Sequence, residues 1–273
     1  MITRPIVRYH GGKWRLAPWI ISHFPAHRVY VEPFGGGGSV LLRKPRSYAE
    51  IYNDLDGDIV NLFRVARDDG ERLALACELT PFSRAEFEES YLPADDPLER
   101  ARRTLVRGYM GFGSAASTFQ VSGFRAKSQR SNTTGAHDWM NYPDCLRQII
   151  QRLRGVVIEC RDAVECMRQH DSPQTLYYVD PPYVHSTRQL RTRSPAYRYE
   201  MTDEQHEKLA GNLRDLAGMV VVSGYRCDLY DRLYAGWQRI DRAAYADGAR
   251  PRVESLWLSP NIRTNSLFRQ EAA

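Results

Sequence analysis

Cysteine and long apolar runs are both scarce in this chain of 273 residues. Its five cysteines (Cys77, Cys145, Cys160, Cys166 and Cys227) form no C-x-x-C pair and are odd in number. Neither a disulfide framework nor a zinc site is indicated, so they read as inert thiols in a reducing compartment. No apolar stretch approaches the roughly 18 residues that a membrane span requires. The opening "MITRPIVRYHGGKW" lacks the apolar core of a secretory signal. The expectation is a cytoplasmic protein with no membrane contact. Internal repeats and low-complexity segments are missing as well, and no obligate protein partner is evident.

An acidic excess is also lacking. The net charge is +5, and the basic residues are nearly all arginine. They gather in "ERARRTLVR", in "GFRAKSQR" and above all in "HSTRQLRTRSPAYRY". One such run alone is a solvated face. Three of them, the last carrying Tyr197 and Tyr199, suggest a track for a phosphate backbone. With 42% hydrophobic and 26% charged residues, the chain can bury one large domain or one domain with an insertion.

Strand and helix signals alternate through the first sixty residues. "RVYVEPF" and "AEIYND" read as strands, "KWRLAPWIISHF" and "DIVNLFRVARDD" as helices. The alternation resumes near residue 155 with "GVVIEC", "TLYYVD" and "GMVVVSGY", short β-branched or aromatic segments suited to buried parallel strands. "TDEQHEKLAGNLRDLA" predicts an amphipathic helix, with Thr202 and Gln205 spaced as a capping box. "WQRIDRAAYA" and "VESLWLSPN" suggest a terminal antiparallel pair. Residues 66–149 differ: charged helical segments lead into a Gly-, Ser- and Thr-rich stretch that still carries Tyr109, Phe112, Phe119, Phe124 and Trp139. That pattern predicts an α/β core, residues 1–65 and 150–273, interrupted by a partner-facing insert at 66–149.

Three motifs carry chemistry. "VYVEPFGGGGSVLL" is a strand, a glycine turn and a helix start, where a ligand can approach the backbone closely. The dinucleotide fingerprint G-x-G-x-x-G fails, because after Gly35 and Gly37 position 40 is Val40. Asp54 ends the next strand at the spacing from Gly35 at which an acid meets ribose hydroxyls. "RYHGGKW" is a second glycine turn holding Lys13, which by itself reads as a solvated surface lysine. Finally Asp180-Pro181-Pro182-Tyr183 closes a buried strand. Proline donates no backbone hydrogen bond and restricts its predecessor, so the strand stops at a stiff corner bearing a carboxylate and a ring.

In this order (Tyr9 and Lys13, then Glu32-Pro33-Phe34-Gly35-x-Gly37, then Asp54, then Asp180-Pro181-Pro182-Tyr183) the chain resembles the Dam-like family of adenine-specific DNA methyltransferases. The resemblance runs through nearly the whole sequence. It implies a Rossmann-like methyltransferase fold: a mostly parallel seven-stranded sheet with one reversed strand, helices on both faces and an inserted helical target-recognition domain. It implies S-adenosyl-L-methionine as cofactor, without a metal, and double-stranded DNA as partner. Tyr9 and Lys13 would contact the methionine end, Gly35 and Gly37 would let that end approach the backbone, Pro33 and Phe34 would also bind the cofactor, and Asp54 would take the ribose. Asp162 would hold the amine of the cofactor's adenine, and Asp180 would border the cofactor. Tyr9 stands where some members carry tryptophan. Arg107, Tyr109, Arg125 and Lys127 of the insert would contact DNA, as would Arg188, Arg191 and Arg193 beyond the corner. "LVRGYMGFGS" departs from the recognition stretch of GATC-modifying members, since Ser114, Ala115 and Ala116 follow where an arginine is expected.

The family's reaction explains the corner. The amino nitrogen of adenine is a poor nucleophile because its lone pair is delocalised into the ring. Acceptors fixed on its two hydrogens, the Asp180 carboxylate and the Pro181 carbonyl, would favour the pyramidal geometry needed for attack. Pro182 stiffens the corner, and Tyr183 would stack on a base extruded from the duplex. A cytosine-N4 or RNA-adenine methyltransferase, or a catalytically silent DNA-binding protein, remains open from sequence. Asp rather than Ser at position 180 favours adenine over cytosine.

Overall fold

The protein is described by a computed structural model covering residues 2–113, 122–127, 133–187, 197–246 and 250–262. The β-branched and aromatic segments form strands β1 (Val29–Glu32), β2 (Ala49–Asn53), β3 (Val156–Glu159) and β4 (Thr175–Val179). Strands β5 (Met219–Tyr225), β6 (Gln238–Ala246) and β7 (Arg250–Leu258) complete them. All seven join one sheet in the order β3-β2-β1-β4-β5-β7-β6. Pairing is parallel from β3 through β5, whereas β7 runs antiparallel to both β5 and β6. The single reversed strand implied by the resemblance is therefore β7.

Two-residue periodicity explains how the sheet is covered on both sides. Tyr30, Tyr52, Leu176, Tyr178, Met219 and Val221 point into one core. Their neighbours Val31, Ile51, Tyr177, Val179, Val220 and Val222 point into the other. Successive side chains of a strand alternate faces, so a central strand must be apolar throughout, and β4 is buried along its whole length. The first core also takes Leu73, Leu105, Tyr109, Trp139 and Ile149, which come from helices between residues 70 and 153.

Local chemistry sets the helix limits. The helix Asp203–Arg214 begins with the Thr202–Gln205 capping box read from the sequence. The first predicted helix is shorter than its apolar pattern, spanning Ala17–Ser22. Pro18 is tolerated only in a first turn, so the helix starts beside it rather than at Lys13.

Strand order reverses between β1 and β4. From β1 the chain proceeds outward to β2 and β3, and from β4 outward to β5. Loops leaving the carboxyl ends of β1 and β4 thus diverge and leave a crevice, the usual binding position in such sheets. Glu32 ends β1, and Asp180 follows β4.

Candidate active site

Beyond Val179 the two prolines cannot extend the ladder, and Asp180 is left at the crevice. Both of its carboxylate oxygens are engaged. Oδ1 accepts a hydrogen bond from Ser223 Oγ at 2.8 Å, and Ser223 in turn lies 2.9 Å from the Tyr178 hydroxyl. Oδ2 lies 2.9 Å from Lys13 Nζ. Lys13 is the residue that taken alone read as a solvated surface cation, yet only 5% of it is exposed. The turn closed by Gly12 N–H donating to Tyr9 carbonyl, with Gly11 at φ +71°, points the side chain inward, where Nζ also donates to the Gly11 carbonyl. Burial by itself would lower this ammonium's pKa. The Asp180 and Glu254 carboxylates overcome that and raise it above the ordinary lysine value.

Tyr183 is buried, with its hydroxyl donating to Glu254. Lys13 Nζ stands 4.6 Å from its ring centroid, and Tyr225 meets it edge-on with centroids 4.7 Å apart. Glu254, on the reversed strand β7, is buried too. Desolvation pushes its carboxyl up to about 7, against the lowering influence of Lys13.

The glycine turn follows a different logic from the one its sequence suggested. A Cβ on Gly35 would stand 2.1 Å from the Tyr52 ring, and one on Gly36 (φ +47°) 2.9 Å from the Tyr9 ring. Gly38, at φ +61°, faces the Phe63 ring. These glycines make room first for the protein's own aromatics. Tyr52 stacks on Phe63 and donates to the Gly36 carbonyl, which fixes the turn. Asp54 fixes it from the other side, accepting from Gly36 N–H and Asp56 N–H at 2.8 Å each. Burial raises the Asp54 carboxyl to about 6, although the amide donors oppose the rise. Asp162 caps the helix Ala163–Gln169 by accepting from the amides of Val164 and Glu165.

These groups border one cavity of about 570 Å³. Tyr9, Lys13, Pro33, Phe34, Gly35, Gly37, Asp54, Asp162 and Asp180 all line it, as does Pro182. Pro181 and Tyr183 are buried behind the wall. S-adenosyl-L-methionine, a cation at sulfur with an amino acid end, fits this lining on two counts. Asp54, Asp162 and Asp180 bring acidic groups to it, and the buried Ser39 hydroxyl in its lining has no hydrogen-bond partner among the described residues. An orphan buried hydroxyl is unfavourable unless a ligand satisfies it. Among the described residues no group of three or more His, Cys, Asp or Glu is placed to hold a metal ion. No helix among them is long and apolar enough to cross a membrane.

Three of the residues expected to contact DNA are buried in this structure. Arg107 is 5% exposed and donates to the Ser90 carbonyl and Thr104 Oγ. Tyr109 is 1% exposed and donates to the Pro5 carbonyl. Arg125 pairs with Asp138 at 3.0 Å and donates to the Tyr109 carbonyl. All three brace the helical region from inside, because a buried guanidinium or phenol must satisfy its donors on neighbouring oxygens. Lys127 is exposed, near the Phe112 ring. Arg188, Arg191 and Arg193 lie outside the described residues, as do Ser114, Ala115 and Ala116. Tyr197 and Tyr199, read as part of the phosphate track, line the cavity instead.

Glu32, Ser39, Tyr178, Ser223 and Glu254 escaped the sequence reading as site residues. Burial pushes the Glu32 carboxyl to about 8, and the side chain accepts from the Tyr30 hydroxyl and the Leu41 amide. One signal was available for Ser223 and Glu254. Each is a polar residue inside an apolar strand run, "VVVSGY" and "VESLWL", where burial without a purpose is costly.

The model of the family described as D12 class N6 adenine-specific DNA methyltransferase matches residues 9–245. A type II methyltransferase from Methanocaldococcus jannaschii, M.MjaIII, is 23% identical over 87% of this chain and 90% of its own length. The DNA adenine methylase of Haemophilus influenzae is 26% identical over 66% of this chain and 64% of its own. The corresponding Escherichia coli enzyme is 24% identical over 66% and 65%.

Proposed function

Since the chain belongs to the D12 class of N6 adenine-specific DNA methyltransferases, we propose that it methylates adenine N6 at a specific site in double-stranded DNA, with the Asp180 corner as its reacting centre. The observation that carries this assignment is the single cavity joining Asp180 to the Gly35 turn and Asp54. Methyltransferases of this family draw on S-adenosyl-L-methionine in general. Here its methionine end would lie by Tyr9, Lys13, Ser39 and the glycine turn, its ribose by Asp54, and its adenine by Phe34 and Asp162. When bound, it supplies a methyl group already activated by a sulfonium.

The chain's own residues position the nucleophile. An adenine entering the corner would place its amine between the Asp180 carboxylate and the Pro181 carbonyl. Asp180 Oδ1 stays anchored by Ser223, so Oδ2, now shared with Lys13, is the oxygen that takes an amine hydrogen. Such preorganised acceptors act where positive charge develops on nitrogen. Asp180 need not be a strong base, because the amine becomes acidic once methylated. Residues 66–149 would form the target-recognition domain, with Lys127 as a DNA contact, and the protein would work in the cytoplasm on DNA.

Transfer of labelled methyl to unmethylated plasmid DNA, with modified bases mapped by direct sequencing, tests the assignment. N6-methyladenine made by the parent and lost in Asp180→Ala is the expected result. An Asp180→Ala variant as active as the parent refutes the catalytic assignment.

A further inference from the structure

Glu254 is an unusual residue for its place. It sits on β7 across from Tyr225 on one side and Arg242 on the other and is 3% exposed, between the exposed Val253 and the buried Ser255. A hydrophobic side chain there would avoid the desolvation that a buried carboxyl suffers. What compensates Glu254 lies at the corner: the Tyr183 hydroxyl donates to Oε1, and Lys13 provides the favourable charge. Arg242, its cross-strand neighbour, directs its guanidinium over Trp19 instead.

Resting on the methyltransferase reading above, we propose that Glu254 is a positioning residue for that reaction, tethering the Tyr183 hydroxyl so that the ring is held in fixed relation to Asp180. Ser223 fixes Asp180 from β5 while Glu254 fixes Tyr183 from β7, and Lys13 touches both carboxylate and ring. A flipped base would take its amine hydrogen bonds at Asp180, against a corner that the buried Tyr183 ring backs. A ring free to rock loses attack geometry more than it loses cofactor affinity.

The test compares Glu254→Ala, Glu254→Gln and Tyr183→Phe with the parent. It measures kcat and KM for methyl transfer to unmethylated plasmid DNA, and the Kd for S-adenosyl-L-methionine by calorimetry. Gln keeps an acceptor for the Tyr183 hydroxyl, and Phe removes only that hydroxyl, so both stay close to the native packing. Glu254→Ala and Tyr183→Phe should each lower kcat about tenfold with cofactor Kd within about twofold. Their double variant should be no worse than the more impaired single one, and Glu254→Gln should recover most of the parent's kcat. Parent-like kcat in Tyr183→Phe, or losses that multiply in the double variant, would overturn the tether. A parent that transfers no methyl group would instead remove the methyltransferase reading on which it rests.

Discussion

Lys13 Nζ stands 2.9 Å from Asp180 Oδ2 although 167 residues separate them, and both side chains are largely withdrawn from solvent. The pair joins the N-terminal glycine turn to the corner after β4, so the cavity wall and the carboxylate proposed to react are one electrostatic unit. Lys13 also faces Glu254, whose carboxyl burial pushes up to about 7, so the charge it chiefly balances is that of Asp180.

Breaking this pair on one side should be costly. Lys13→Met leaves the Asp180 carboxylate uncompensated and should destabilise the fold by about 3 kcal/mol in urea unfolding. The double variant Lys13→Met/Asp180→Asn, which buries no charge at that contact, should regain most of the loss while remaining inactive. A double variant no more stable than Lys13→Met would show that the pair is not what the single substitution disrupts.

Ser223→Ala removes the donor to Asp180 Oδ1 and strands the buried Tyr178 hydroxyl. The expected loss is about 1–3 kcal/mol in stability, with kcat reduced and the calorimetric Kd for S-adenosyl-L-methionine little changed. A rise in Kd with kcat intact would place Ser223 in cofactor binding instead.

Gly35→Ala tests what the glycine turn is for. Its new methyl would collide with the Tyr52 ring at 2.1 Å, and overpacking of this kind costs about 1–3 kcal/mol or more. The thermal midpoint should therefore fall by about 4 °C or more before any cofactor is added. An unchanged midpoint combined with lost cofactor binding would restore the simpler view that this glycine only admits the ligand.

Glu32 gives stability a pH dependence of definite sign. Its carboxyl is pushed from 4.5 to about 8 by burial, so between those values the folded protein holds a proton that the unfolded chain has lost. The contribution is fully present below about pH 4.5 and lost as pH rises through about 8. Glu254 at about 7 and Asp54 at about 6 act in the same direction. Glu32→Gln keeps an acceptor for Tyr30 and Leu41 but cannot ionise. Its midpoint should gain on the parent's as pH rises from 5 to 9, and parallel curves would refute the shift.

Much of the architecture was legible because strand burial leaves a direct trace. "TLYYVD" and "GMVVVSGY" are apolar on both faces and became central strands, and the terminal pair became β6 and β7. The corner was legible through proline, whose effect is local. The burial of Lys13, Arg107, Tyr109 and Arg125 was not legible, for one shared reason. Whether a charged or phenolic side chain faces water depends on a partner distant in sequence, and Asp180, Ser90, Pro5 and Asp138 supply those partners here. Glu254 was hidden likewise, since its value depends on a tyrosine 71 residues away.

The same distinction separates two neighbouring cations in their effect on DNA. Arg125 is buried against Asp138 and the Tyr109 carbonyl, so Arg125→Ala should cost about 3 kcal/mol of stability. Any loss of DNA affinity should then follow the unfolded fraction and vanish at a temperature where the variant is fully folded. Lys127 is exposed, so Lys127→Ala should leave the thermal midpoint alone. A lost phosphate contact should weaken binding uniformly across sequences and reduce the salt slope of log K by about 1. Electrophoretic shift titrations at several salt concentrations, beside thermal melts of both variants, distinguish the two roles. A folded Arg125→Ala with altered site choice would return that arginine to the DNA interface, because bracing alone cannot change which sequence is read.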